Sequence, residues 1–317
     1  MAFSPQSATS IERGYPHLAV VHRSLTALHK AVPDIRTTFA QPIAGREATL
    51  PADKDLVIAV QYVARALIRH LELPEAQVIV AFQRMTEAGR VELGQGPAYF
   101  VDVNEDYRSV FKQPDIPAVL AHEVTHVLLH RHRLRFPLPD ENELLTDTAA
   151  VYLGVGWLLL NAYRKTEYRN GGVLHRSEDK LGYLTPEEFG YVLAKRSLAW
   201  GEDPAVTERT LTDQARDLYR SGLRRARDEQ RHPPLAAASR LNRRRYGQRR
   251  QDALRAAADP TRFRTVTTRF ADYSFELDDP VKVVFSCPTC HHKLRLPVGR
   301  KVKARCTVCR TVLPCET

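Results

Sequence analysis

The residues with the clearest chemical potential are His122-Glu123-Val124-Thr125-His126. On a helix, residues four apart share a face, so both imidazoles can bind one metal ion. Glu123 then stands beside that ion, where it can take a proton from water the metal has acidified. Two unrelated histidines on an ordinary helix would give the same five letters, so the downstream sequence has to discriminate. Seventeen residues after His126, Asn142-Glu143-Leu144-Leu145-Thr146-Asp147 sets two carboxylates one turn apart. They open a stretch that is otherwise strongly apolar, AAVYLGVGWLLL over 149–160. An acid on a core-facing stripe is costly unless it is paired or bound to metal. Glu143 as a third ligand removes that cost, and Asp147 can accept the free ring N–H of a ligating histidine. The competing reading is a pair of helix-start acids stabilised by the macrodipole. His130 and His132 are expected to face solvent at the helix end.

A second constellation lies near the C-terminus. Cys287-Pro288-Thr289-Cys290 and Cys306-Thr307-Val308-Cys309 hold four of the five cysteines, and residues 1–286 have none. Two such knuckles can close a tetrahedral zinc site with no open position. The thioredoxin-like alternative lacks its βαβ context. The intervening KLRLPVGRKVKAR suggests a two-stranded hairpin turning at Val298-Gly299-Arg300 and hence a zinc ribbon. Cys315 is left over: a free thiol near a mobile C-terminus, or a thiolate folding back onto the catalytic zinc.

The elements that must position these residues follow from periodicity. Helices are expected over about 18–32, 53–72, 117–130, 141–164 and 185–200, the last opened by the capping box Thr185-Pro186-Glu187-Glu188. Asp140 is a candidate cap for the fourth. Val78–Phe82 and Ala98–Val103 have strand character, with Gly94 and Gly96 between them. Val266–Leu277 is a further strand segment, and no internal repeat is evident.

Charge divides the chain. Residues 1–215 carry 23 Lys/Arg against 27 Asp/Glu, whereas 216–270 carry 16 Arg against 5 acids. Arg243, Arg244, Arg245, Arg249 and Arg250 form a dense array that could meet nucleic-acid phosphates, with Tyr246 available to stack on a base. A solvated linker docked on the acidic part explains the same charge. The expected organisation is α+β: a catalytic domain over 1–204, a basic helical connector over 205–270 and a zinc ribbon over 271–317. The apolar 149–160 stretch is too short to span a bilayer, and MAFSPQSATSIERGYPH has no signal-peptide pattern, so a cytoplasmic location is expected.

The pattern His122-Glu123-x-x-His126 followed by Asn142-Glu143-x-x-x-Asp147 resembles that of the gluzincin metallopeptidases. The resemblance covers about 45 residues. It implies a zincin-like fold, with His122, His126 and Glu143 as zinc ligands, Glu123 as catalytic base and Asp147 behind a ligand. It also implies a substrate cleft bordered by an edge strand, for which Ala98–Val103 is the candidate. The family's oxyanion-stabilising Tyr or His has no matched motif; Tyr152, Tyr163 and His175 are the choices. In size the chain is similar to small regulatory ImmA/IrrE-type peptidases, which cleave repressors, so a transcriptional regulator is an implied substrate. The expected activity is zinc-dependent endopeptidase, with one catalytic and one structural zinc ion. The alternative is a nucleic-acid-binding or scaffolding protein on a non-catalytic zincin fold.

Overall fold

The computed structural model describes residues 2–3, 11–74, 77–94, 98–170, 173–259, 267–269 and 272–317 of the 317-residue chain. The fold is mixed α+β, and its contacts divide it into two units, 1–223 and 224–317. Among the described residues, no helix is long and apolar enough to cross a membrane.

In the first unit, strands β1 (Ala2–Phe3), β2 (Gln77–Gln83), β3 (Gly89–Val91) and β4 (Ala98–Asn104) form one sheet in the order β1-β3-β4-β2. β2 and β4 run parallel; β3 is antiparallel to β4, and β1 to β3. Ala98–Val103 is therefore an interior strand, hydrogen-bonded on both sides, and cannot serve as the expected edge. The short β3 lies between β4 and the two-residue β1 at the sheet margin, and three residues are too few to announce a period. The opposite margin is capped at one position. The Gln61 amide donates to the Val80 carbonyl (2.8 Å) and accepts from its N–H (3.1 Å), standing in for a missing neighbour strand.

Helices α1 (Leu18–Ala31), α2 (Ile35–Thr38), α3 (Leu56–His70), α4 (Ile116–Arg131), α5 (Pro139–Tyr152), α6 (Gly156–Asn161), α7 (Pro186–Trp200), α8 (Pro204–Arg209) and α9 (Asp213–Glu229) supply the rest, with the two-stranded β5 (Arg164–Asn170) and β6 (Val173–Asp179). α4 is buried from Ile116 to Leu129, between β3 and β4 on one side and α3, α5 and α6 on the other. A helix surrounded in this way has no solvent-facing polar stripe, and its buried polar residues are His122, Glu123, Thr125 and His126. Asp115 occupies its cap position without a side-chain capping bond; the carboxylate instead takes both Nη groups of Arg164. The helix expected over 141–164 is two helices. Gly154 adopts φ +102°, a conformation that ends α5, and α6 restarts at Gly156. Leu138 rather than Asp140 occupies the cap position of α5, with Pro139 in its first turn. The Thr185–Glu188 capping box of α7 is formed in both directions.

The basic segment 205–270 is shared between the two units. α8 and the first turns of α9 belong to the first, where Gly190 of α7 and Gly222 of α9 let the two backbones meet: a Cβ at either would fall 2.4 Å from a carbonyl oxygen. The second unit holds α10 (Arg240–Ala258) and the strands β7 (Thr267–Arg269), β8 (Tyr273–Glu276), β9 (Lys282–Ser286), β10 (Lys293–Pro297), β11 (Lys301–Arg305) and β12 (Val312–Glu316), and α10 shares a core with β8 to β12. The expected strand over 266–277 is thus the two strands β7 and β8, paired antiparallel.

β10 and β11 do not pair with each other, although the chain does turn at Gly299, φ +82°. β10 pairs with β9 and β11 with β12, giving two hairpins, each tipped by one Cys-x-x-Cys knuckle. The two tips repeat one geometry at an offset of 19 residues. Cys287 N–H donates to the His292 carbonyl as Cys306 N–H does to Thr311, and His291 and Arg310 both take positive φ. The repeat is not evident in the sequence because only the cysteines and the conformations recur, not the side chains between them.

Candidate metal centres and active site

α4 and α5 cross so that three donors converge. His122 Nε2 and His126 Nε2 are 3.0 Å apart, and each lies 3.2 Å from Glu143 Oε2. Four-coordinate zinc bonded at about 2.0–2.1 Å requires donors about 3.3 Å apart. The triangle therefore fits such an ion with little adjustment. All three residues are buried.

The groups behind the triangle set its tautomers. His122 Nδ1 donates to Asp147 Oδ1 at 2.8 Å, leaving its Nε2 lone pair for the centre. Asp147 is held in turn, since its Oδ2 accepts the backbone N–H groups of Tyr183 (2.5 Å) and Leu184 (3.0 Å). That approach needs Gly182 at φ +90°, where a Cβ would lie 2.7 Å from Asp147 Oδ2. On the other ring, Thr146 Oγ1 spends its hydrogen on the Asn142 carbonyl (2.9 Å). It can then only accept from His126 Nδ1 at 3.1 Å, which again turns an Nε2 lone pair inward. Asn142 ties down the preceding loop through Phe136 N–H and the Phe136 and Leu138 carbonyls.

Glu123 is fully buried; neither carboxylate oxygen has a hydrogen bond of normal geometry, and the backbone of Val91 on β3 lends it only a small stabilisation. Its side chain lies against β3: a Cβ on Gly89 would be 3.1 Å from Glu123 Oε1. Burial pushes its pKa up to about 8. Burial works against charge on His122, but Asp147 and Glu143 outweigh it and raise that pKa to about 10. Burial would likewise raise Glu143, yet hydrogen bonds from both imidazoles hold it at about 2. Three carboxylates around two imidazoles make a centre that favours positive charge, and a dication suits that donor set.

Of the other residues singled out in the sequence, Tyr152 is buried with its hydroxyl 2.9 Å from His29 Nε2, and the Tyr163 hydroxyl accepts from Arg13 at 3.0 Å. Both hydroxyls are engaged away from the triangle, and the His175 side chain lies outside the described residues. An aromatic ring that does lie against a triangle residue is Tyr183, stacked on His122 at 6.2 Å between centroids. No spacing rule links it to α4; the left-handed glycine before it is the one local sign. His130 and His132 close α4, exposed and half-exposed. A cavity of about 860 Å³ in this unit shares no residue with the triangle. Polar side chains lining it, such as Arg164, Asn161 and Gln214, bond to neighbouring protein groups.

In the second unit the four knuckle cysteines are buried, with Cys287–Cys309 and Cys290–Cys306 sulfurs 3.6 Å apart. Tetrahedral zinc thiolate bonding at about 2.3 Å places sulfurs about 3.8 Å apart, so this cluster also fits a metal ion. Cys315 belongs to neither centre. It lies on β12 in the core of the second unit, 2% exposed, its Sγ 3.4 Å from the Leu313 carbonyl. It is a free thiol, as one expectation had it, but a buried one within a strand, and it is not one of the donors of the His/His/Glu triangle. Tyr246 is not available to stack on a base, because it packs edge-on to Tyr273 at 5.1 Å inside the same core. Arg243, Arg249 and Arg250 bond Glu316, the Tyr273 hydroxyl and the Thr317 carbonyl, fastening α10 to the strands. Arg244 and Arg245 stay exposed.

The arrangement around Asp147 makes a direct prediction. In Asp147→Asn an amide N–H₂ must face either His122 or the two backbone donors, so one side loses its acceptor. Affinity of the His/His/Glu site for zinc is expected to fall about 10–100-fold, read by competition with a chelating dye, while the four-cysteine site keeps its ion. Unchanged affinity would show that Asp147 does not orient His122.

The chain matches no family model, no curated protein and no solved structure.

Proposed function

We propose that the first unit is a zinc-dependent endopeptidase of the gluzincin kind, acting on a protein substrate, and that the cysteine cluster is a structural zinc site. The observation that carries this reading is Glu123. A carboxylate buried without a hydrogen bond of normal geometry to either oxygen is strongly disfavoured unless it serves the chemistry beside it. It neighbours three metal-ready donors in sequence and in space.

His122 Nε2, His126 Nε2 and Glu143 would hold the ion, which would supply Lewis acidity toward a peptide carbonyl and a nearby water molecule. Glu123 accepts the proton of the attacking water at a carboxylate oxygen and delivers it to the amide nitrogen as the C–N bond breaks. Asp147 and Thr146 keep both imidazoles in the tautomer that leaves Nε2 unprotonated. An extended peptide can join the sheet margin beside Glu123, while Gln61 occupies one position of the other. β1 covers β3 at Gly89 and Arg90, so pairing can continue along Val91–Leu93, beside Glu123.

The reading is tested by incubating the zinc-loaded chain with an unfolded, alkylated protein and sequencing the products by mass spectrometry. New amino termini that vanish with a chelator are expected. No new termini at full zinc occupancy would overturn it.

A further inference from the structure

Beside the triangle lies a cavity of about 340 Å³ with His126 and Thr146 in its lining. Leu93, Leu129 and Leu134 give it apolar walls, and His130, Asn142, Arg133 and Arg135 complete it. A second cavity, about 460 Å³, shares Arg133 and adds Arg131. The three arginines alternate along the segment that leaves α4, and all three are exposed. Among the described residues none of them pairs with a carboxylate, and no Asp or Glu lines either cavity. Elsewhere in this unit arginines find acids: Arg23 with Glu141, Arg90 with Asp102, Arg220 with Glu208. Nor is the unit basic overall, with 25 Lys/Arg against 28 Asp/Glu over residues 1–223. Arg133 also sits at φ +52°, just past the helix end, where glycine is the usual occupant.

We propose that this basic mouth selects an acidic substrate: an extended peptide with an Asp or Glu side chain close to the scissile bond, its methylenes on the leucine walls and its carboxylate between Arg133 and Arg135. The assignment rests on the peptidase reading, because His126 is both a donor of the triangle and part of the cavity lining. Guanidinium groups suit the role, since their fork matches a carboxylate and the apolar wall excludes competing water.

The test separates binding from cleavage. Zinc-loaded Glu123→Gln chain is titrated with two labelled pools of random decapeptides, one with Glu fixed at a central position and one with Gln. The Glu pool is expected to bind about tenfold more tightly, the scale of one charge-assisted hydrogen bond, with the advantage shrinking as salt is raised. The exposed double change Arg133→Glu/Arg135→Glu is expected to reverse the preference while zinc content stays the same. Equal affinity for the two pools overturns the inference whatever the wild type cleaves. A preference for the Glu pool from a wild type that cleaves nothing retires the peptidase reading and keeps the acid-selective site.

Discussion

Glu123→Gln is expected to lower peptide-bond hydrolysis by about 10²–10⁴-fold, the usual contribution of a positioned general base, with both metal sites still filled. The change is nearly isosteric and removes a carboxyl group from a place where neither oxygen makes a hydrogen bond of normal geometry. A residue kept for structure would cost stability when altered. Here the melting temperature is expected to hold or rise, because a buried unpaired carboxylate is a burden on the fold. The two readouts together separate an enzyme from a scaffold. Retained hydrolysis in Glu123→Gln would remove the general-base role, and a large loss of stability would show that Glu123 is structural.

Metal analysis is expected to return two zinc ions per chain, falling to one in His126→Ala and, through the other site, to one in Cys306→Ser. The consequences should differ in kind. His126→Ala removes one corner of a triangle lying between helices that pack through many other buried residues, so the first unit should stay folded and lose only its activity. Cys306→Ser opens a cluster whose four sulfurs are part of the small core that holds Tyr273, Phe275 and Tyr246. Structural zinc contributes apparent binding energies of about 10–16 kcal/mol to small metal-held domains. Far-UV circular dichroism and limited proteolysis should therefore report loss of residues 281–317 in that variant or after strong chelation. One ion in the wild type and one in His126→Ala would sink the proposed catalytic site.

How much of this is legible in the sequence depends on the distance over which each constraint acts. A Cys-x-x-Cys knuckle closes within a few residues, so its four sulfurs can be paired on paper. Their strand partners cannot: β10 and β11 are neighbours in sequence yet belong to different sheets, because each joins the hairpin of its own knuckle. The run from Gly156 to Asn161 reads as a continuation of α5, and a single glycine at φ +102° divides it. Tyr246 reads as a stacking residue in an arginine-rich stretch, but one face of α10 had to be covered, and the largest apolar group on it went inward.

The same division runs through the triangle. The sequence by itself determined that His122 and His126 share a helix face and that Glu143 and Asp147 share another, since 3.6 residues per turn leaves no other choice. Only the tertiary structure decided that these faces meet, with three donors 3.0–3.2 Å apart. It also decided that the Tyr183 and Leu184 amides lock Asp147, that Thr146 sets the His126 tautomer, and that β3 rather than Ala98–Val103 lies against Glu123. Helical periodicity fixes neighbours within a turn or two of one chain segment. Bringing together residues 89, 123, 143 and 183 takes burial of α4 on every side, and that is a property of the packed molecule.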